Sequence, residues 1–236
     1  MELPNPISRP TDFVPFREHL AIRTYRRNLP HWRQACCTYF VTFRLGDSIP
    51  EGVRKEWEYE QTLWLKARGI TYDGPQGQWR KALENIPSKE QFQFHKHFNR
   101  QVQNCLDRGL GECGLRQSAC VDIVQQELFS RDGLGYDLGD YVLMPNHVHV
   151  LLTPRPGEEL EDILKKVKGA SAVACNRLLG RTGTFWQADS YDHIVRTLDE
   201  LLFFREYIAN NPKQAGISLV PQAIYRAHWM DHWFRK

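Results

Sequence analysis

The sequence predicts an α+β domain in which helices pack on one face of an antiparallel sheet. Three observations lead there. β-branched and aromatic residues alternate over Cys37 to Leu45; two further extended runs, YDLGDYVLMP and HVHVLLTP, follow one another across Pro145 and Asn146; and segments of helical period separate and follow these strands. At 236 residues, with 42% apolar and 25% charged side chains, the chain is long enough to bury a core and has the composition of an ordinary globular protein. We read residues 36–236 as a single domain with a helical insertion at about 50–130, preceded by an N-terminal arm over residues 1–35.

Each element has a local reason. The arm is rich in Pro and Arg, ends in YRRNLPHWRQ and keeps no apolar period, which predicts an irregular cap. CTYFVTFRL is the first sheet strand, because its alternation suits a half-buried surface. Glu51 to Ala67 and the run from Ser88 onward are predicted helices, split by the turn-rich ITYDGPQGQ. Another helix covers Arg116 to Ser130, where Ala119, Ile123, Val124 and Leu128 recur at helical spacing. The runs joined at Pro145 and Asn146 make a hairpin or a bent strand pair. Glu158, Glu159, Glu161 and Asp162 then open a helix whose apolar set is Leu160, Ile163, Leu164, Val167, Ala170, Val173 and Ala174, ended by Gly180. A last strand lies within Gly183 to Arg196. Thr197 and Glu200 form a capping box for the helix TLDELLFFREYIANN, which Pro212 stops.

Bulk chemistry narrows the function classes only slightly. The formal charge of +3 is compatible with a polyanionic partner but suits many proteins without one. Six cysteines stand at Cys36, Cys37, Cys105, Cys113, Cys120 and Cys175 without a C-x-x-C pair, so reduced thiols are expected rather than a zinc site or a disulfide frame. The N-terminus has no apolar signal core, and no run approaches the roughly 18 apolar residues of a membrane helix. A cytoplasmic protein with no membrane partner is the expectation.

His147 and His149 stand two apart in a strand, so both imidazoles leave on one face, at a separation that can hold one divalent ion. Two surface histidines of an exposed strand would give the same spacing. A two-histidine site needs a further ligand, and Asn211 is the candidate: it follows Tyr207 by four residues, so a phenol and a carboxamide share a helix face. The alternative is a packed Tyr207 among Phe203, Phe204 and Ile208, with Asn211 merely ending the helix. His95 and His97 repeat the spacing in a helical context, where residues two apart diverge by about 200°, and are discounted. Tyr191, beside Asp192 and His193, is the rival nucleophile.

PNHVHVLLTP, then FWQADSYDHIVR, then EYIANNP, in this order and spacing, resemble the REP-associated tyrosine transposases, members of the HUH superfamily of single-strand transposases and relaxases. The resemblance runs from roughly Thr38 to Ala227, about four-fifths of the chain. It implies the HUH nuclease fold, a ferredoxin-like antiparallel sheet, and a bacterial protein working at the nucleoid. It further implies that Tyr207 attacks a DNA phosphodiester to leave a 5′-phosphotyrosyl link and a free 3′-hydroxyl, with His147, His149 and Asn211 around a divalent metal. Imidazole and oxygen ligands suit Mg²⁺ or Mn²⁺. The expected partner is single-stranded or hairpin-forming, REP-like DNA, bound by a monomer or a homodimer.

Softer expectations attach to the basic residues. Lys165, Lys166, Lys168, Arg177 and Arg181 would contact phosphates, or else form a solvated helix face. Trp186 would stack on an unpaired base or pack in the core, with Gln187 and Arg196 as further DNA contacts. The arm and the insertion exceed what a minimal transposase of the superfamily requires. Two other readings stand beside the enzyme: a catalytically idle regulator that binds DNA hairpins, and an unrelated metal hydrolase using the two histidines.

Overall fold

The computed structural model describes residues 8–20, 22–26, 30–75 and 77–235. In chain order its elements are β1 (Arg23–Arg26), β2 (Pro30–Arg33), β3 (Tyr39–Arg44), α1 (Glu51–Lys66), α2 (Trp79–Glu84), α3 (Ser88–Asp107), α4 (Ser118–Phe129), β4 (Tyr136–Met144), β5 (His147–Pro154), α5 (Leu160–Leu178), β6 (Tyr191–Ile194), α6 (Leu198–Gln214) and β7 (Ile224–Tyr225). They divide into two units, Met1–Gly46 with Gly114–Lys236, and Asp47–Cys113. The segment read as an insertion over about 50–130 is thus partitioned, because α4 contributes its apolar stripe to the core of the first unit.

The first unit is built on a five-stranded antiparallel sheet of order β6-β3-β5-β4-β7. β4 and β5 form a hairpin, one of the two arrangements the sequence leaves open, with Met144 paired to His147 across Pro145 and Asn146. The α+β class and the antiparallel sheet are as predicted, but the helices are distributed differently. Val148, Val150 and Leu152 of β5 join Tyr39, Val41 and Phe43 of β3 in a core with α4 and α5. Phe40, Val142, Met144 and Leu151 point the other way and pack with Leu201 and Ile208 of α6 and with Met230 and Trp233. Burying each such Val, Leu or Phe contributes roughly 1.5–3 kcal/mol, so both faces of the central strands need a cover. α6 therefore lies opposite α4 and α5, which corrects the expectation of helices on one face only.

A bulge between Leu138 and Tyr141 turns Asp140 toward α6. Gly139 sits at this bend because a Cβ there would lie 2.7 Å from the Leu151 Cβ. Arg205 of α6, fully buried, donates to Asp140 through Nε at 3.0 Å and to Asp231 through Nη1 at 2.8 Å. The Ala227 amide also donates to Asp140, at 2.9 Å. This network fixes the rotation of α6 against β4. At its start the helix is capped by Thr197, whose Oγ1 accepts from the Glu200 amide at 3.1 Å. At its end it runs through Pro212 to Gln214 instead of stopping: a proline in the last turn forfeits one backbone bond, and Gly216, at φ +66°, closes the helix.

Within the described part of the N-terminal arm, Arg9 forks onto Asp132 at 2.5 and 2.6 Å, and β1 pairs with β2. Residues 1–7, 21 and 27–29 of the arm lie outside the described residues. The second unit has its own small core of Leu65, Ile70, Trp79, Leu83 and Phe94. In it the short helix α2, absent from the sequence prediction, is started by Asp73, which accepts from the Gln78 and Trp79 amides at 2.8 and 3.2 Å. His97 is engaged there with Glu60 at 2.8 Å. The six cysteines form no disulfide, and no described helix is long and apolar enough to cross a membrane.

Candidate active site

Strand alternation places His147 and His149 on the α6 face of the sheet, where both are fully buried. β3 supplies the neighbouring row: Arg44 stands opposite His147 and Thr42 opposite His149. Thr42 Oγ1 lies 2.7 Å from His149 Nδ1, and Asn146 Oδ1 lies 2.8 Å from His147 Nδ1. A carboxamide oxygen accepts, so His147 Nδ1 donates and its Nε2 keeps a lone pair. Burial lowers the His147 pKa to about 3. Burial, followed by the charge of His147, drives His149 well below the usual histidine value. Both rings are therefore neutral at physiological pH, the form that ligates a metal.

The two Nε2 atoms face each other at 3.1 Å. Two donors each about 2.1 Å from one ion and at right angles to one another lie about 3.0 Å apart, so this separation fits a shared cation. Among the described residues no group of three or more His, Cys, Asp or Glu side chains comes together, so a third donor has to be of another kind. Asn211 carries a carboxamide oxygen of such a kind. It is buried on α6, and its Oδ1 has no hydrogen-bond partner. A buried carbonyl oxygen left unpaired costs on the order of 1–3 kcal/mol, which a bound cation offsets. One turn earlier on the same helix, the Tyr207 hydroxyl lies 3.5 Å from His149 Nε2. Phe40 packs beneath, stacked on His149 at 5.4 Å and on Phe204 at 4.2 Å, and meets Tyr207 edge-on at 5.8 Å.

Of the residues singled out in the sequence, the fold brings His147, His149 and Tyr207 together and buries Asn211 on the face that carries them. Tyr191 stands in the same cross-strand row, opposite Thr42, two strands from His149 and so on the order of 9–10 Å away across the sheet. Burial, then Asp192 and Glu200, raise its hydroxyl pKa above the ordinary value, which keeps the phenol protonated at neutral pH. Trp186 is a correction. It is buried in the α5 core with its Nε1 donating to Ser171 at 2.9 Å, so it does not offer a face to a base. Lys165, Lys166 and Arg177 are exposed on α5, behind the sheet as seen from the histidines, and are not brought to the site. Lys168 reaches the Ala188 carbonyl at 2.8 Å, and Arg181 bonds Asn176 at 3.1 Å. Gln187 donates its backbone N–H to the Arg44 carbonyl at 2.8 Å, next to the His147 row, and Arg196 lies over Phe16 at 5.7 Å.

Sequence reasoning missed Thr42, Asn146, Arg44 and Arg205. Only Asn146 had a local signal, its place before the first histidine in a two-residue turn. The other three act through pairing across more than a hundred residues or across the helix packing.

Residues 127–211 match the family model described as "Transposase IS200 like", a span that contains both histidines, Tyr207 and Asn211. Among solved structures the chain is similar to a REP-associated tyrosine transposase bound to a REP hairpin. That similarity has 14% identity and a TM-score of 0.41, over 82% of this chain and 74% of the other. It is also similar to a candidate transposase from Deinococcus radiodurans R1, with 16% identity and a TM-score of 0.30, over 83% of this chain and 95% of the other. No curated protein matches the chain.

Proposed function

Because residues 127–211 match the family model described as "Transposase IS200 like", we propose that the chain is a metal-dependent single-stranded DNA endonuclease and strand transferase acting through Tyr207. The observation that carries this reading is the convergence at one spot of the Tyr207 hydroxyl, 3.5 Å from His149 Nε2, and the paired imidazoles 3.1 Å apart. A divalent ion, Mg²⁺ or Mn²⁺, held by His147, His149 and Asn211 would supply Lewis-acid polarisation of the scissile phosphate. Thr42 and Asn146 hold the two rings with their Nε2 atoms turned to that position.

Tyr207 Oη forms the new bond to phosphorus as the bond from phosphorus to the 3′-oxygen breaks. The phenolic proton leaves, and the 3′-oxygen takes one up as a hydroxyl. The 5′-phosphotyrosyl link conserves one ester bond, so the released 3′-hydroxyl can reverse the step or a different one can complete strand transfer. A hairpin-forming, REP-like substrate in the bacterial nucleoid is what the resemblance carried by PNHVHVLLTP and EYIANNP implies, rather than something read from a contact.

The test is covalent capture. The protein is incubated with Mn²⁺ and single-stranded hairpin oligonucleotides drawn from repeats of the source genome, and the products are run on a denaturing gel. A protein–DNA adduct that disappears in Tyr207→Phe, while hairpin binding persists, is the expected result. Cleavage that survives Tyr207→Phe would mean a metal hydrolase, and binding without any adduct would mean an idle hairpin-binding regulator.

A further inference from the structure

We propose that Phe203 is the stacking platform for an unpaired nucleobase next to the phosphate that Tyr207 engages, with Tyr191 as its counterpart on the sheet. This inference rests on the single-strand reading above and extends it to a base-binding subsite. Phe203 is 60% exposed, although the two aromatics beside it on α6, Phe204 and Tyr207, are both packed on Phe40. Its ring runs nearly parallel to that of Tyr207, 22° apart, with 6.5 Å between centroids.

Lone exposed phenylalanines are common and mean little. This one is continuous with the candidate nucleophile, and the distance is meaningful. A single strand advances about 3.4 Å per nucleotide when stacked, so a strand whose phosphate meets Tyr207 places a base within one or two steps of Phe203.

The opposite side of this strip is also suited to a base. Phe204 lies 5.5 Å from His193 of β6, which ties the outer edge of α6 to that strand. Two residues before His193, Tyr191 is 40% exposed and shares its row with Thr42, the residue bonded to His149. Phe203 on α6 and Tyr191 on β6, two part-exposed aromatic rings on elements joined through Phe204 and His193, have the makeup of a site that accepts bases without reading their edges. An apolar helix from a second copy would instead bury Phe203 together with its exposed neighbour Leu202.

The experiment is a fluorescence-anisotropy titration of the full chain with a fluorescein-labelled oligothymidylate, using the wild type, Phe203→Ala, Phe203→Leu and Phe203→Trp. Loss of one stacked base corresponds to a rise in Kd of about 5- to 140-fold. That rise is expected for Phe203→Ala and, with apolar area kept but no π-face, for Phe203→Leu; Phe203→Trp should bind at least as well as the wild type, with its indole fluorescence quenched by DNA. An unchanged Kd in Phe203→Ala, or wild-type binding by Phe203→Leu, would overturn the subsite while leaving the single-strand reading intact. A dimer in the wild type that dissociates in Phe203→Ala, seen by sedimentation without DNA, would overturn it in favour of a protein contact. Failure of the wild type to bind the oligonucleotide would overturn the subsite, whereas the single-strand reading stands or falls on the Tyr207 adduct with hairpin DNA.

Discussion

Acid should destabilise the ion-free protein through His147, and the size of the effect follows from its burial. An unfolded histidine titrates near 6.5, whereas burial holds His147 to about 3 in the fold. The folded pKa is the lower one, so the unfolded chain binds the proton more readily between these values. Stability is then fully present above about pH 6.5 and declines as pH falls toward 3. At about pH 5 the unfolded histidine is almost wholly protonated while the folded one is not, which amounts to about 2 kcal/mol from this residue alone. The assay is urea unfolding followed by tryptophan fluorescence in EDTA, at about pH 7.5 and about pH 5, for the wild type and His147→Gln. Groups that titrate alike in both proteins cancel, so the wild type should lose about 2 kcal/mol more than the variant between the two pH values. Equal losses would refute the argument that the buried, neutral imidazole is responsible. Excess Mn²⁺ should shift the wild-type decline to lower pH, because ion and proton compete for the same lone pair.

Two further outcomes follow from the same geometry. Asp140→Ala removes one partner of a fully buried guanidinium and should cost about 3–5 kcal/mol in urea unfolding; a loss below about 1 kcal/mol would mean that Asp231 alone satisfies Arg205. Thr42→Val removes the hydroxyl 2.7 Å from His149 Nδ1 and should weaken Mn²⁺ binding by roughly 10- to 100-fold, read by calorimetry, and cost on the order of 1–3 kcal/mol in urea unfolding in EDTA, because a buried ring nitrogen loses this partner.

The amino-acid sequence by itself determined which side chains share a face of one strand or helix. A strand repeats every two residues, so His147 and His149 had to share a face; a helix returns after about four, so Tyr207 and Asn211 had to align. The hairpin at Pro145 and Asn146 and the Thr197 cap were equally local, and the structure reproduces both. Tertiary structure decided which surfaces meet. β5 is buried on both faces, and nothing in its alternation says which helix covers the histidines; the Asp140 bulge and the Arg205 network assign that role to α6. The same assignment leaves the exposed lysines of α5 behind the sheet, turns Trp186 into a core residue, and brings in Thr42 from a strand more than a hundred residues away. Local geometry sets where a side chain points along its own element, whereas long-range pairing and packing set what it points at.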